Sequence, residues 1–392
     1  MGREVTTKVL VSGAGPVGLA LGTRLAAAGV DHVLVDRAEA GANTSRAAVV
    51  HARTLEVLDE LGVASALLAR GVVVPRFTVR DGDRVLLAVD FDELPTAYPY
   101  TLMVPQDVTE GVLESALAER GGAVWRGRSL EGFRVDDDGR VRADVRGPDG
   151  VWTVVADHLV GADGMHSRVR ELSGIGFAGS SYAQSFVLAD VEMDWPLPEH
   201  EVQLFFSPAG LVVVAPLPGG HHRVVATVDD APEHPDADDV AALLRARGPA
   251  GAGPVRSVAW SSRFRVHHRL AESYRRGPVF LAGDAAHVHS PAGGQGMNTG
   301  IQDAVDLGGR LAAVHADAAD PTILEGYDRV RRPVARQVVA LTDRMTRAAT
   351  LSGPPARVRN LALRGLGALP PVRRAAAMNL SELSTGPSPT SP

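Results

Sequence analysis

Apolar positions come in short runs along the chain, and several runs end on glycine or on a carboxylate. Residues 8–12 read as a strand, Gly13-Ala14-Gly15-Pro16-Val17-Gly18 follows at once, and residues 19–28 keep a helical period that Gly29 stops. His32–Val35 is a second apolar run and delivers Asp36, about twenty residues past the first glycine. Strand, glycine turn, helix, strand and acid in that order suit a dinucleotide. The turn lets backbone approach a pyrophosphate, and the acid takes ribose hydroxyls.

Further along, residues 51–61 form an amphipathic helix closed by Gly62, and residues 72–104 alternate as strands with turns at Pro95 and Pro99. Gln106–Glu119 is helical, and residues 133–145 read as a hairpin through Asp136-Asp137-Asp138-Gly139. Residues 158–162 are a strand delivering a second acid–glycine pair, Asp163-Gly164, with a helix opening near Ser167. From 180 to 269 the pattern is mostly strands, interrupted by one helix, Ala237–Arg247. Residues 278–282 read as a buried strand ending in Gly283-Asp284. A glycine-rich loop then leads into a helix with Ile301, Ala304, Val305, Leu307 and Leu311 at three- and four-residue spacing. Because that helix opens at Gly296 to Asn298, its unpaired N–H groups and partial positive charge face whatever sits above it, which suits an anion-forming ring. Residues 321–349 are a long helical pattern that Pro333 should kink or break. Residues 357–369 form a further short helix, and 386–392 a disordered Pro/Ser tail.

This alternation predicts two interleaved domains. Residues 1–71, 106–179 and 271–350 build a nucleotide domain, residues 72–105 and 180–270 a sheet lying over it, and 351–392 a C-terminal helix and tail. Composition narrows the picture without redirecting it. The chain has 392 residues, a net charge of −6 and no basic run, so nucleic acid is not an expected partner. No cysteine is present, which excludes disulfides and thiolate chemistry, and no apolar run is long enough to span a bilayer. A cytoplasmic protein is expected. His287 and His289 lie close to Asp284, but that pattern shapes a turn more readily than it holds a metal, and none is expected. His221, His222, His267 and His268 read as solvent-facing or turn residues.

The glycine fingerprint Gly13 to Gly18, the Asp163-Gly164 pair, and Gly283-Asp284 with Pro291 to Asn298 resemble the single-component FAD aromatic hydroxylases of the p-hydroxybenzoate hydroxylase type. The likeness is nearest to actinobacterial enzymes acting on aromatic polyketides and antibiotics. Thr44-Ser45-Arg46-Ala47, Arg53-Thr54-Leu55-Glu56 and Val104-Pro105-Gln106 add to it. The resemblance implies an α/β, Rossmann-like FAD-binding domain of the glutathione-reductase type, with an inserted, mostly antiparallel substrate sheet and C-terminal helices. Larger members carry a thioredoxin-like C-terminal domain, for which 350–392 leave too little chain, so a monomer or a homodimer without that domain's contacts is expected.

By the same resemblance, Gly13, Gly15, Pro16 and Gly18 would wrap the FAD pyrophosphate, and Asp36 would take the adenosine ribose with Arg37 beside it. Arg46 and Gln106 would contact the phosphates and ribityl region, and the Leu130 backbone the adenine. Asp163 would serve FAD and the nicotinamide encounter. Asp284, following Gly283, would hold the ribityl chain. Pro291, Gly294, Gly296, Met297 and Asn298 would line the pyrimidine edge of the ring and the oxygen site. The implied cycle is reduction of FAD by NAD(P)H, addition of O2 to give a flavin hydroperoxide, and transfer of its terminal oxygen to an electron-rich phenol carbon. Tyr100, Gln203 and Phe205 are candidates to line the substrate pocket. No His, Tyr or Arg has a spacing that singles out a catalytic base. Baeyer–Villiger or epoxidising chemistry on the same scaffold, and a non-catalytic flavin- or substrate-binding protein, are the rival readings. A halogenase is disfavoured, since it needs a lysine between flavin and substrate and the sole lysine, Lys8, lies in the first strand.

Overall fold

The computed structural model describes residues 3–41, 47–207, 209–351 and 353–384, with backbone alone at 182–184. Its first sheet has eight strands. Val279–Leu281, Gly150–Gly161, Arg3–Ser12, His32–Val35 and Val124–Trp125 run parallel in that order, and Val141–Gly147 with Ser129–Val135 extend Gly150–Gly161 as an antiparallel hairpin. The parallel strands are apolar on both faces, as helix-covered strands must be: Val9, Leu10, Val11, Leu34, Leu159, Val160, Phe280 and Leu281 are all solvent-free.

A second eight-stranded sheet runs His287–Val288, Val255–Ala271, Phe177–Met193, His222–Val228, Gly210–Pro216, Glu201–Ser207, Arg76–Asp81 and Arg84–Asp90. All its pairings are antiparallel except that of Glu201–Ser207 with Arg76–Asp81. The stretch 72–105 does not enter this sheet whole. Val49–Val50 and Val72–Val74 pair instead on either side of Thr101–Met103 in a separate three-stranded sheet, whose residues enter the hydrophobic clusters of both larger ones.

Most helices match their sequence pattern, including Gln106–Glu119 and Ala237–Arg247 without a shift. Three differences are physical. The first strand is longer than residues 8–12, because Arg3 to Thr7 continue the ladder against Trp152 to Ala156. Pro333 does not break its helix, which runs unbroken over Gly326–Ala349 with Tyr327, Arg331, Val334, Ala335 and Val338 buried on either side of the proline. Packing on both flanks outweighs the one lost N–H. Finally, Gly353–Gly367 is followed by a second helix, Pro370–Leu380, whose Ala377 joins the core beneath the second sheet. Residues 386–392 lie outside the described residues. Among the described residues no helix is long and apolar enough to cross a membrane.

The helices Pro16–Ala27 and Gln295–His315 lie against one another because glycine lets them. A Cβ on Gly300 would meet Val17 Cγ2 at 2.7 Å, and one on Gly308 would meet Arg24 Cβ at 3.1 Å and Leu21 Cδ1 at 3.2 Å. Val17 also fills the space over Gly283, so the first helix, the end of Val279–Leu281 and the last of these helices meet at one side chain.

Candidate active site

Four site segments leave the first sheet from a single cross-strand row. Val35 is paired with Ser12, Ser12 with Gly161, and Gly161 with Leu281. The residues that follow are Asp36, Gly13, Ala162-Asp163 and Ala282-Gly283-Asp284. The segments are laced together where they emerge: Gly13 N–H donates to Val35 O (2.8 Å), Ala162 N–H to Ser12 O (2.8 Å) and Ala282 N–H to Gly161 O (3.0 Å). Crevices outside the carboxyl ends of parallel strands are where such sheets bind ligands.

The first glycine turn is forced by sterics. Gly13 has φ +103°, and a Cβ there would run into the Ala162 carbonyl and sit 2.8 Å from Asp163 Cα. A Cβ on Gly18 would collide with the Gly13 carbonyl, whereas one on Gly15 would meet nothing within 4 Å. Gly15 therefore faces open space in front of a helix that has Pro16 in its first turn, no side-chain cap and no acidic residue in that turn. Asp36 braces the turn: one carboxylate oxygen accepts Ala14 N–H (2.6 Å), the other Ala38 N–H (2.8 Å). An ionised carboxylate has about four acceptor positions, so two amides leave capacity for ribose hydroxyls. Arg37 is exposed beside it. The strip 125–128 borders this corner, with Asp36 N–H donating to Trp125 O and Arg128 N–H to Asp36 O. Leu130, two residues on, has its side chain in the core opposite Val145, leaving only backbone to face outward.

The second glycine turn sits at the other end of the row. Gly293 (φ +82°) and Gly294 (φ +68°) precede the helix Gln295–His315, which also lacks a side-chain cap and a first-turn acid. A Cβ on Gly294 would meet Val49 Cβ at 2.7 Å. Asn298, fully buried, pins the turn: its Nδ2 donates to Gly294 O (2.7 Å) and Val49 O (2.8 Å), and its Oδ1 accepts His51 N–H (2.8 Å). His51 Nε2 in turn donates to Gly293 O at 2.6 Å. Burial lowers the His51 ring to about 4, so it is neutral, as that single donation requires. Pro291, Gly296 and Met297 are half-buried around the turn, and Asp284 is exposed at the strand end beside it. His51 escapes sequence reasoning because nothing in its spacing marks it.

Behind the turn lies a buried charge cluster that sequence reading also missed. Asp303 accepts from Arg331 Nε (2.7 Å), His287 Nε2 (2.7 Å) and Gly283 N–H (3.3 Å). Burial opposes its charge, yet Arg331 and His287 hold the carboxyl below its ordinary range. His287 stacks between Tyr274 and His289, and burial lowers His289 to about 4. These histidines thus support the Gly283 backbone through Asp303. His222, expected at the surface, is 8% exposed against Trp195.

Asp163 spends its carboxylate on local structure. It accepts from Ser167 Oγ, Arg168 N–H (2.8 Å) and Val169 N–H (3.1 Å), fastening the start of Arg168–Leu172. Gln106 joins its helix start to Ala47, accepting Ala47 N–H (3.2 Å) and giving its own N–H to Ala47 O (3.0 Å). Arg46, with Thr44 and Ser45, lies outside the described residues.

One face of the second sheet carries an apolar row. Leu204 pairs with Val213, Val213 with Val225 and Val225 with Leu188, and directly opposed residues share a face. Leu204 and Val213 pack against the cluster containing Ala48, Met103 and Ala377. Gln203 and Phe205 point the other way: Phe205 is solvent-free under Val240 and Leu244 and edge-on to Trp195 at 5.9 Å. Gln203 and Phe205 thus lie on the face covered by Ala237–Arg247, and Leu204 and Val213 on the opposite one. Tyr100 is half-buried, edge-on to Tyr98 at 6.2 Å.

Two uncapped helix starts, an open cradle at Gly15 and carboxylates at both ends of the row match an elongated ligand with a central diphosphate and an anion-forming ring. The residues present fit FAD. Comparison with known proteins agrees. A family model described as "FAD binding domain" matches residues 6–342. The 6-methylpretetramide 4-monooxygenase of Streptomyces rimosus is 41% identical over 341 residues, which is 86% of this chain and 61% of that relative. The chain thus spans less than two thirds of that relative's length. Among solved structures, p-nitrophenol 4-monooxygenase from Pseudomonas putida superposes with a TM-score of 0.89 at 28% identity, covering 98% of this chain and 99% of that one. Aklavinone-11 hydroxylase in a ternary complex with FAD and aklavinone gives 0.77 at 29% identity, covering 91% and 71%. With the row of strand ends, both glycine turns and the family match in agreement, the chain belongs to the FAD-binding-domain family.

Proposed function

We propose that this chain is an FAD-dependent monooxygenase that hydroxylates a polycyclic phenol or quinone of polyketide type, with NAD(P)H as reductant. The reaction consumes O2, NAD(P)H and a proton, places one oxygen atom on the aromatic carbon and releases the other as water. FAD, when bound, supplies the electron transfer and the activation of O2. The chain's own residues hold and shield it. Gly15 and the start of Pro16–Ala27 take the diphosphate, Asp36 the ribose, and Asp284 the ribityl chain. The N–H groups at Gly296 and Met297 favour negative charge on the ring. Arg46, Gln106, Asp163 and the Leu130 backbone remain proposed contacts.

The observation that carries this reading is the second glycine turn, whose helix start has neither a side-chain cap nor a first-turn acid; over it we place the apolar row Leu204–Val213–Val225. A ring held there has positive polarisation at one edge and an apolar wall over it, which keeps water from the reacting centre. We also propose the domain division stated above, 1–71, 106–179 and 271–350 against 72–105 and 180–270, and cytoplasmic location. The test is purification with FAD, followed by a panel of polycyclic phenols, reading NAD(P)H consumption and product mass together. A product heavier by one oxygen atom supports the proposal. Reductant use that no substrate accelerates overturns it in favour of a binding role. Insertion into a ring or across a double bond, in place of an aromatic C–H, points to the Baeyer–Villiger or epoxidising alternative.

A further inference from the structure

The segment after the helix Pro370–Leu380 grips the two helices that frame the second glycine turn. Glu382 is 1% exposed and has φ +62°, a left-handed conformation that a non-glycine residue keeps only when its surroundings impose it. One carboxyl oxygen meets Gln302 Nε2, and the other lies 3.4 Å from Thr299 Oγ1. One residue earlier, the Ser381 carbonyl accepts Arg53 N–H (3.2 Å), a first-turn donor of the helix Ala52–Glu60 with no partner inside that helix. The Leu380 carbonyl accepts Gln295 Nε2 at 3.3 Å. Three consecutive residues thus hold the start of one helix and the first two turns of the other.

Thr299 has a single hydroxyl hydrogen, and at 3.0 Å the Gln295 carbonyl is its nearer acceptor. At 3.4 Å the Glu382 carboxyl is a second acceptor for the same hydrogen. Burial pushes the carboxyl up to about 8, against Gln302, the Arg331 charge from Gly326–Ala349 and the Thr299 hydroxyl, and with the Asp303 charge from Gln295–His315. On the helix Ala52–Glu60, Arg53 is paired with Glu56 (2.8 Å), and Thr54 Oγ1 shares Gln302 Nε2 (3.1 Å).

We propose that neutral Glu382 is a positioning residue, latching the segment after Leu380 onto Thr299 and Gln302 and so fixing the Gly293–Gly294 turn against which the FAD ring rests. This rests on the cofactor reading given above. The sign follows from a carboxyl raised on folding: its contribution is complete below the unfolded value and disappears as pH rises through about 8. Loss of the latch loosens the turn and weakens FAD.

The test compares the full-length wild type with Glu382→Gln and Glu382→Ala at about pH 6.5 and about pH 9, reading FAD affinity and thermal midpoint on the same samples. Glutamine keeps polar side-chain atoms for Thr299 and Gln302 and does not titrate. Wild-type affinity should fall by about tenfold between the two pH values, Glu382→Gln should stay level, and Glu382→Ala should bind about tenfold more weakly at both. A wild type whose affinity and midpoint do not change with pH, or Glu382→Ala binding as wild type does, overturns the proposal. Should Glu382→Ala fail to fold, the comparison of wild type with Glu382→Gln decides. A wild type that takes no FAD at either pH refutes the cofactor reading. The latch is then judged on midpoints, which must drop at high pH in the wild type and hold in Glu382→Gln.

Discussion

Asn298 and His51 stand 247 positions apart in the chain, and the side-chain oxygen of the first accepts the backbone N–H of the second at 2.8 Å. The same amide donates to Val49 and Gly294, so one side chain ties a short strand, a helix start and the second glycine turn. Asn298→Ala would strand a buried N–H and a buried carbonyl, each worth about 1–3 kcal/mol. Expected are a lower denaturation midpoint and FAD affinity reduced by tenfold or more, read by urea titration and flavin fluorescence. Unchanged flavin affinity would refute the assignment.

The two glycines of the first turn should separate folding from binding. Gly13→Ala puts a Cβ into the Ala162 carbonyl at a left-handed φ, so it should cost about 2 kcal/mol or more and lose FAD. Gly15→Ala meets no protein atom within 4 Å and should melt like the wild type, yet bind FAD much more weakly because the methyl occupies the diphosphate's space. Thermal melts paired with FAD titrations check both, and a Gly15→Ala protein binding normally would move the diphosphate elsewhere.

Acid should release the second turn. His51 and His289 are both lowered to about 4 by burial, so between about 6.5 and 4 the unfolded chain takes up protons that the folded chain does not. Stability is therefore present above the unfolded value and falls as pH drops through this window, by up to about 3 kcal/mol for each ring. Denaturation midpoints across the window test this. His51→Gln, which keeps a donor for Gly293, should flatten the fall.

Arg331→Met should be among the most damaging changes away from the cofactor. It leaves the buried Asp303 carboxylate with His287 and Gly283 as its remaining donors described here, and breaking a buried pair costs about 3–5 kcal/mol. Chemical denaturation measures the loss. A cost below about 1 kcal/mol would mean Asp303 is neutral in the fold.

The glycine turns and carboxylate-tipped strands were legible because each is a local instruction: Gly13, Gly18 and Gly294 occupy positions where a Cβ cannot fit. The helices Gln106–Glu119 and Ala237–Arg247 were legible for the same reason, their period being complete within the segment. Strand parity says that Gln203 and Phe205 share a face without saying which sheet face is covered by Ala237–Arg247. His51, Asp303 and Glu382 were invisible because their partners, Asn298, Arg331 and Gln302, come from distant segments. Pro333 was overestimated because a lost N–H is a local cost, while the burial that offsets it comes from other elements.

The row Val35–Ser12–Gly161–Leu281 spans three strand spacings, about 14 Å from one flank to the other. Asp36 and Asp284 stand at its opposite extremities, so the proposed FAD site would act as a length gauge. A mononucleotide flavin reaching the Gly294 end falls short of Asp36, and one seated at Asp36 leaves its ring far from the apolar roof. On the contacts proposed for Asp36 and Asp284, discrimination between FMN and FAD would come from reach, before any contact with the adenine is counted.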